Sequence, residues 1–139
     1  KDLFATSEPW PDDFVISIIA PRLLRLKTEG FILDGVPKKA SEAIALASWM
    51  GESGIGVDLS LTLEVSRDVA LSRMLGRNDK MRLKNTSHYE TRFRKWEEDR
   101  DTIVASLSRV ARNSFAVDTY TISEQEVLDQ VLEFSLNHL

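Results

Sequence analysis

The residue in this sequence that most suggests chemistry is a carboxylate at the end of a short apolar run. Residues 31–33 read Phe-Ile-Leu, Asp34 and Gly35 follow them, and Pro37 comes two residues later. An apolar run bounded by turn residues predicts a buried strand that carries Asp34 at its carboxyl end. Because magnesium is usually bound by one or two carboxylates plus substrate phosphates, Asp34 is a candidate to hold Mg²⁺ through water. The alternative is that Asp34 only begins the turn with Gly35.

Basic residues are concentrated in a second stretch, where nine arginines and lysines lie between Arg73 and Arg100. Six of them are arginines, which suit phosphate because a guanidinium fork bonds phosphate oxygens in pairs. Positive charge around the moving group supplies most of the catalysis of phosphoryl transfer. Arg73 and Arg77 are four residues apart and share one helix face. The alternative for any one of them is a solvated basic surface.

The composition narrows the class of protein. The 139 residues carry a formal net charge of −4, which disfavours a nucleic-acid binder, whereas a cation cluster in an acidic chain suits a small polyanion. The sequence has no cysteine, so disulfides and thiolate chemistry are excluded. No apolar run approaches the roughly 20 residues that span a bilayer. No secretory signal is visible either, so we expect a cytoplasmic protein that does not insert into a membrane.

Apolar periodicity predicts the elements that position these side chains. Strands that alternate with helices indicate an α/β fold, a parallel sheet with helices on both faces. Ligands of such sheets bind outside the carboxyl ends of the strands, so Asp34, Ser66 and Thr119 should lie along one rim. Ser123 and Glu126 form a capping-box pattern before the last helix. The predicted strands cover residues 31–33, 57–65 and 115–117. A first helix should start near residue 12 and be kinked or shortened by the proline at residue 21, and further helices cover 39–50, 66–75, 86–110 and 123–136.

Several segments of this sequence resemble the adenylate kinase family. Residues 30–38 read GFILDGVPK, which is similar to the family signature G-F-[IL]-L-D-G-F-P-R. Residues 73–77 (RMLGR) resemble its R-x-x-G-R pattern, residues 89–98 (YETRFRKWEE) resemble the helix after its lid, and residues 115–118 resemble its last strand. The resemblance is colinear over essentially all 139 residues. It implies a single P-loop nucleotide-kinase-like domain over 1–139, in which 1–14 end the monophosphate-binding region, 77–85 form a short lid and the remainder is the core.

The resemblance also implies a role for each matching residue. The protein would be a nucleoside monophosphate kinase that transfers the terminal phosphate of ATP, with Mg²⁺, to a nucleoside monophosphate. Its catalytic residues would be Asp34, on the metal side, with Arg77, Arg82 and Arg92. The triphosphate would be bound by Arg73, which stacks on the donor base in the family, and by Arg77, Thr119 and Tyr120. The monophosphate would be bound by Glu8, Pro9, Trp10, Gly35, Val36, Pro37, Lys38 and Glu42.

Some positions depart from the family's pattern. Lys38 replaces an arginine and loses its bidentate fork, and Val36 replaces a phenylalanine. Glu42 replaces the glutamine that pairs with adenine. An ionised carboxylate only accepts hydrogen bonds, which suits guanine and predicts a preference for a monophosphate other than AMP. Lys84 and Asn85 lie near the positions at which the family usually has two aspartates after its lid arginine.

The motif G-x-x-x-x-G-K-[ST], with which the family cradles donor phosphates, does not occur in this sequence. We therefore expect an α/β domain that is incomplete at its N-terminus, with the phosphate loop upstream of Lys1 in a full parent protein. The chain by itself is expected to be inactive, and either monomeric or with its open sheet edge covered by a partner. The alternative is a degenerate adenylate-kinase-like module that binds nucleotide or another protein without catalysis.

Overall fold

The computed structural model describes residues 10–76 and 86–138, and of residues 86–88 only the backbone helix. The described residues form five helices and a two-stranded parallel sheet, an incomplete α/β fold. None of the helices in this described part is long and apolar enough to cross a membrane. In chain order the elements are α1 (Asp12–Leu26), α2 (Ala40–Ser53), β1 (Val57–Glu64), α3 (Arg67–Gly76), α4 (Thr86–Ser108), β2 (Ala111–Asp118) and α5 (Glu124–His138).

The chain divides into two compact units, which are described separately. The first contains the described residues up to 57 and residues 99–110, and the second contains described residues 58–98 and 111–138. Helices α1 and α2 pack against each other in the first unit. Its core is a cluster of four residues that are at most 4% exposed: Leu23, Leu46, Met50 and Ile55.

Helix α1 continues through Pro21 to Leu26, so the predicted early end of this helix at the proline is wrong. A proline inside a helix removes one backbone hydrogen bond and strains the preceding turn. Two residues later, however, Leu23 is 3% exposed in the core. Burial of an apolar side chain of this size is worth about 1.5–3 kcal/mol. Because that gain is available only while the helix continues past the proline, packing sets the length of α1.

The prediction of a buried strand at residues 31–33 is wrong, because the chain has no strand there. Phe31 and Leu33 are half-buried and pack against the core cluster, whereas Ile32 between them is 95% exposed. The side chains therefore alternate as in a strand. A strand also needs a ladder of hydrogen bonds to a neighbour, and in the described part of the chain β1 and β2 pair only with each other. Asp34 thus follows an extended segment that has no described strand beside it.

In the second unit the predicted strands and caps are found. Strand β1 matches the predicted residues 57–65 closely, and β2 is longer than predicted, since it begins at Ala111. Arg112 and Asp58 form a cross-strand ion pair of 3.2 Å at the start of the two strands. Helix α5 packs on β2. Its capping box is confirmed, because the Ser123 N–H and hydroxyl both donate to Glu126 Oε2 over 2.7 Å.

Candidate functional site

The loop between the apolar segment and α2 holds four of the residues that we expected to bind a monophosphate. Gly35 has a φ of +74°, a conformation that favours glycine, and the Val36–Pro37 peptide bond is cis. The backbone N–H of Lys38 donates to Glu42 Oε2 over 2.6 Å. Glu42 is 4% exposed and lies in the first turn of α2, so a carboxylate inside the molecule holds the end of this loop. We call Gly35, Val36, Pro37 and Lys38 the acceptor loop.

Lys39 connects the acceptor loop to the start of α1. Its Nζ lies 2.9 Å from Asp12 Oδ1 and donates to the carbonyl oxygen of Trp10 over 3.1 Å. The side chains of Lys39 and Asp12 are only 20% and 24% exposed. Trp10, which was expected near the acceptor base, packs edge-on against Phe14 with the ring centroids 5.3 Å apart. The structure thus brings together two segments that were assigned to monophosphate binding.

The pKa of Asp12 is lowered in the folded protein. Burial alone raises this pKa, but hydrogen bonds from Lys39 and Ser41 and the positive charge of Lys39 outweigh the effect of burial. A carboxyl whose pKa is lowered by folding stabilises the protein at pH above its unfolded pKa, near 3.8, and this contribution is lost as pH falls through the folded value. The ion pair with Lys39 is therefore present at neutral pH.

This lowered pKa predicts an acid-dependent difference between the wild type and Asp12→Asn. The wild type should be the more stable at pH 6, and its advantage should shrink as pH falls below 3.8. Urea unfolding midpoints measured from pH 6 down to pH about 2 test this. Asp13→Asn removes a charge from the same helical turn without touching Lys39 and is the matched control. Parallel curves for the wild type and Asp12→Asn would contradict the prediction.

Asp34 is exposed, and no residue in the described ranges donates a hydrogen bond to its carboxylate. An exposed carboxylate to which no described residue donates fits a magnesium ion that keeps most of its waters and takes its other ligands from substrate phosphates. The described residues contain no group of three or more acidic, His or Cys side chains that could hold a metal ion by themselves. Asp34 is thus suited to a water-mediated role.

In the second unit, Arg73 is joined to the carboxyl ends of both strands. Its guanidinium donates to the carbonyl oxygen of Thr119 and, over 3.3 Å, to the Thr119 hydroxyl. That hydroxyl and the Thr119 N–H both donate to the carbonyl oxygen of Glu64, over 2.8 and 2.9 Å. Arg73 and Thr119, both expected on the triphosphate side, are therefore in contact. Thr119 is only 8% exposed, so its side chain stabilises the ends of the two strands and is hardly accessible to solvent.

The turn after β2 is organised by Asp118. Its carboxylate accepts hydrogen bonds from the N–H groups of Tyr120 and Thr121, over 2.7 and 3.3 Å, and from the Thr121 hydroxyl over 2.8 Å. Slight burial raises its pKa, but these hydrogen bonds outweigh it, so the pKa lies below its ordinary value. Tyr120 is left 50% exposed on this turn, where an aromatic ring is open to a ligand.

Arg92 lies on α4, and its side chain is exposed. No residue in the described part of the chain bonds to its guanidinium, in contrast to that of Arg73. The rings of Tyr89, Phe93 and Trp96 form a row along the same helix, with ring centroids 5.8 Å apart for Tyr89 and Phe93 and 6.0 Å apart for Phe93 and Trp96. Tyr89 and Phe93 also contact Arg67 of α3, through the Tyr89 hydroxyl and through a guanidinium that lies 5.9 Å from the Phe93 ring centroid. These contacts hold this part of α4 and leave the Arg92 side chain exposed.

Two contacts near the site were not anticipated from the sequence. Arg67 donates to Glu90 Oε2 over 2.6 Å and accepts, through its carbonyl oxygen, a hydrogen bond of 3.1 Å from the Tyr89 hydroxyl. Burial raises the pKa of Tyr89, so this hydroxyl remains protonated as a donor. The other is the pair of Lys39 with Asp12. Neither has a sequence signal, because the partners are far apart in the chain.

Four predicted site residues lie outside the described ranges: Glu8, Pro9, Arg77 and Arg82.

Several curated proteins are similar to part of this chain. The adenylate kinase of Moorella thermoacetica is 38% identical over 68 residues, which are 48% of this chain and 31% of that protein. The adenylate kinase of Thermococcus gammatolerans is 39% identical over 67 residues, 48% and 30% of the two chains. That of Bacillus subtilis is 38% identical over 78 residues, 55% and 36%. This chain is related to the adenylate kinases.

The relationship to the adenylate kinases is partial in extent. The aligned residues make up about half of this chain, and the chain spans about a third of the length of the curated relatives it matches. No family model matches the sequence. The expected resemblance to adenylate kinases is confirmed over about half of this chain. The roles of individual residues stay predictions.

Proposed function

We propose that the full-length protein is a nucleoside monophosphate kinase of the adenylate kinase type. It transfers the terminal phosphoryl group of ATP to the phosphate of a nucleoside monophosphate and requires Mg²⁺. The observation that carries this proposal is the sequence relationship to adenylate kinases over about half of the chain. The site residues add support within each unit, since the first presents the exposed carboxylate of Asp34 and a glycine-containing loop, and the second presents the exposed guanidinium of Arg92.

The arginines supply the catalysis in this proposal. Arg92, whose guanidinium is not occupied in the described part of the chain, binds oxygens of the transferred phosphoryl group and stabilises charge that develops in the transition state. Arg77 and Arg82 act with it. Arg73, held by Thr119, presents the planar face of its guanidinium to the donor base, and Tyr120 lies beside it. Exclusion of water from the site keeps the monophosphate as the acceptor.

The acceptor loop binds the monophosphate in this proposal. Gly35 has no side chain, so the phosphate can approach the backbone, and the exposed Lys38 neutralises its charge. Trp10 lies near the acceptor base, with Glu8 and Pro9 before it. Asp34 holds the magnesium ion through water. When bound, magnesium neutralises the triphosphate's charge and orients its terminal phosphate for in-line transfer.

The proposal is tested by phosphoryl transfer from ATP to each of AMP, GMP, CMP and UMP, measured on the full-length protein with and without EDTA. Formation of a nucleoside diphosphate that stops when the metal is removed is the expected result. Asp34→Asn should raise the magnesium concentration needed for half-maximal rate, because one carboxylate of the metal side is lost. A protein that binds none of the four monophosphates and transfers no phosphate would overturn the proposal.

The base preference is expected to depend on Glu42. Its Oε2 is bound to the Lys38 N–H and the residue is only 4% exposed, so a base reaches Oε1 when the acceptor loop shifts on binding. We propose that the wild type favours a monophosphate other than AMP, and that Glu42→Gln shifts the preference toward AMP. Glutamine keeps an acceptor for the Lys38 N–H and adds a donor for adenine. Dissociation constants of the four monophosphates, measured for both proteins, test this. A clear AMP preference in the wild type would show that the idea is wrong.

A second function has specific support, namely that of a degenerate module that binds nucleotide or another protein without catalysis. Two residues assigned to ligands by the resemblance, Glu42 and Arg73, bind the backbone of this chain. A module that had lost catalysis would be expected to reuse such side chains for stability. The assay above separates the two functions, since nucleotide binding without diphosphate formation in the full-length protein supports the module.

A further inference from the structure

Two adjacent lysines at the end of the acceptor loop have different surroundings. Lys38 is exposed, and no residue in the described part of the chain binds its ammonium group. Lys39 is 20% exposed in its side chain and binds both Asp12 Oδ1 and the Trp10 carbonyl oxygen. The backbone at Lys39 is extended, with φ −147° and ψ 160°, so successive side chains point to opposite sides. One lysine therefore faces solvent and the other faces the start of α1.

The surroundings of Lys39 make it a poor phosphate ligand. Its charge is paired at 2.9 Å with the Asp12 carboxylate, and its second partner is the neutral carbonyl oxygen of Trp10. A phosphate that approached Lys39 would meet the negative charge of Asp12 as well. The backbone N–H of Lys38 binds the Glu42 carboxylate, but no residue in the described ranges pairs with its exposed ammonium group, so Lys38 is the cation of this pair that can meet a phosphate. The two lysines thus differ in function although they are alike in sequence.

The contact of Lys39 with Trp10 matters because α1 begins just after it. Helix α1 has no side-chain cap, and the amides of Phe14 and Val15 both donate to the carbonyl oxygen of Pro11 over 3.1 Å. Trp10 is half-buried and packs on Phe14. A bond from Lys39 to the Trp10 carbonyl oxygen, together with the pair to Asp12, sets where the chain enters α1. Because the acceptor loop directly precedes Lys39, these contacts also set the position of the start of α1 relative to that loop.

We propose that Lys39 is a positioning residue for monophosphate binding, which ties the segment at Trp10 to the acceptor loop through Asp12 and the Trp10 carbonyl oxygen. This inference rests on the proposed function, since it assumes that both segments bind the monophosphate. Lys39 does not touch the nucleotide. It holds the two sides of the monophosphate site at the spacing that the ligand requires, so that less conformational freedom is lost on binding.

The test uses Lys39→Met in the full-length protein, because methionine keeps the unbranched apolar chain and removes the ammonium group. The dissociation constant of the best-bound monophosphate should rise about five- to tenfold, since one charged hydrogen bond and a partly buried ion pair are lost. The dissociation constant of ATP should change less than about twofold. Lys39→Arg, which can bind both partners, should restore monophosphate affinity. Lys27→Met, an exposed lysine after α1, is the matched control and should leave both constants unchanged.

The salt dependence separates positioning from direct phosphate binding. Lys39→Met should weaken monophosphate binding by the same factor at low and at high salt, because the charge it removes is already paired with Asp12. Lys38→Met should weaken binding mostly at low salt, because an exposed charge that meets a phosphate is screened by ions. Asp12→Asn, which leaves the bond to Trp10 possible, should lose less monophosphate affinity than Lys39→Met.

Each outcome decides the inference. Unchanged monophosphate affinity in Lys39→Met, or an equal loss of monophosphate and ATP binding, overturns it while the proposed function stands. A loss that is strongest at low salt also overturns it, since Lys39 would then bind phosphate directly. If the wild type binds no monophosphate, the proposed function fails and this inference fails with it. Selective loss for the monophosphate, independent of salt and restored by arginine, supports it.

Discussion

Replacing Arg92 with alanine is expected to lower the turnover of phosphoryl transfer by about 10²–10³-fold, the effect of removing one preorganised donor to developing charge. Folding should be nearly unchanged, because the side chain is exposed and no described residue bonds to its guanidinium. The stretch of α4 that carries it contacts Arg67 of α3 through Tyr89 and Phe93, which the substitution leaves in place. Turnover of the full-length protein at saturating nucleotides, with a thermal unfolding midpoint for each variant, measures both effects.

The control for this prediction lies on the same helix. The Arg94 side chain is 72% exposed, and the ion pair that it forms with Glu98 is long at 3.9 Å. Arg94→Ala removes the same charge two residues away and should leave turnover within about twofold, since exposed ion pairs of this kind contribute little. If Arg92→Ala and Arg94→Ala behave alike, the position of the guanidinium does not matter, and Arg92 is not part of the site.

Replacing Leu46 with alanine is expected to lower the free energy of unfolding by about 3 kcal/mol, the typical cost of a leucine truncated inside a core. Leu46 is 1% exposed and lies in the cluster with Leu23, Met50 and Ile55. The loss has two parts: the transfer free energy of the deleted methyl groups and the cavity that the neighbours cannot fill. Trp49 packs against this cluster, so tryptophan fluorescence during urea unfolding follows the change.

The effect of Leu46→Ala should extend to the acceptor loop. Val36 of that loop, and the residues at 31 and 33 before Asp34, pack against the same cluster. A looser core should therefore weaken monophosphate binding as well as stability. Ile44→Ala is the matched control, since Ile44 lies on the same helix but is 54% exposed and should cost less than about 1 kcal/mol. An equal loss for both variants would contradict the assignment of the core.

Local signals in the sequence predicted much of the fold of the second unit. Strand β1, helix α3 and helix α5 lie within a few residues of their predicted bounds. The capping box of Ser123 and Glu126 was predicted and is confirmed, because a cap depends only on residues three apart. The segment at residues 31–33 was predicted as a strand and is not one. Its alternating burial is a local property, but a strand also requires a neighbour that a local pattern does not contain.

The sequence likewise predicted only part of the candidate site. Residue types indicated which side chains suit phosphates and metal, and the resemblance to adenylate kinases grouped Arg73 with Thr119, which the structure joins. The sequence could not tell that Arg73 binds backbone carbonyl groups, nor that Glu42 holds the Lys38 N–H. Both side chains look like ligand-binding groups until their partners in the folded chain are known.

The sequence by itself determined the family relationship, the acidic overall charge, the positions of the caps and turns, and the chemistry that its side chains can perform. These follow from residue type and from spacings of a few residues. Only the tertiary structure decided which of the two adjacent lysines is paired and that α1 continues through Pro21. It also decided that the Asp34 side chain is exposed. These are set by burial and by partners distant in sequence, whose free energies appear only when the chain has folded and brought them within a few ångströms.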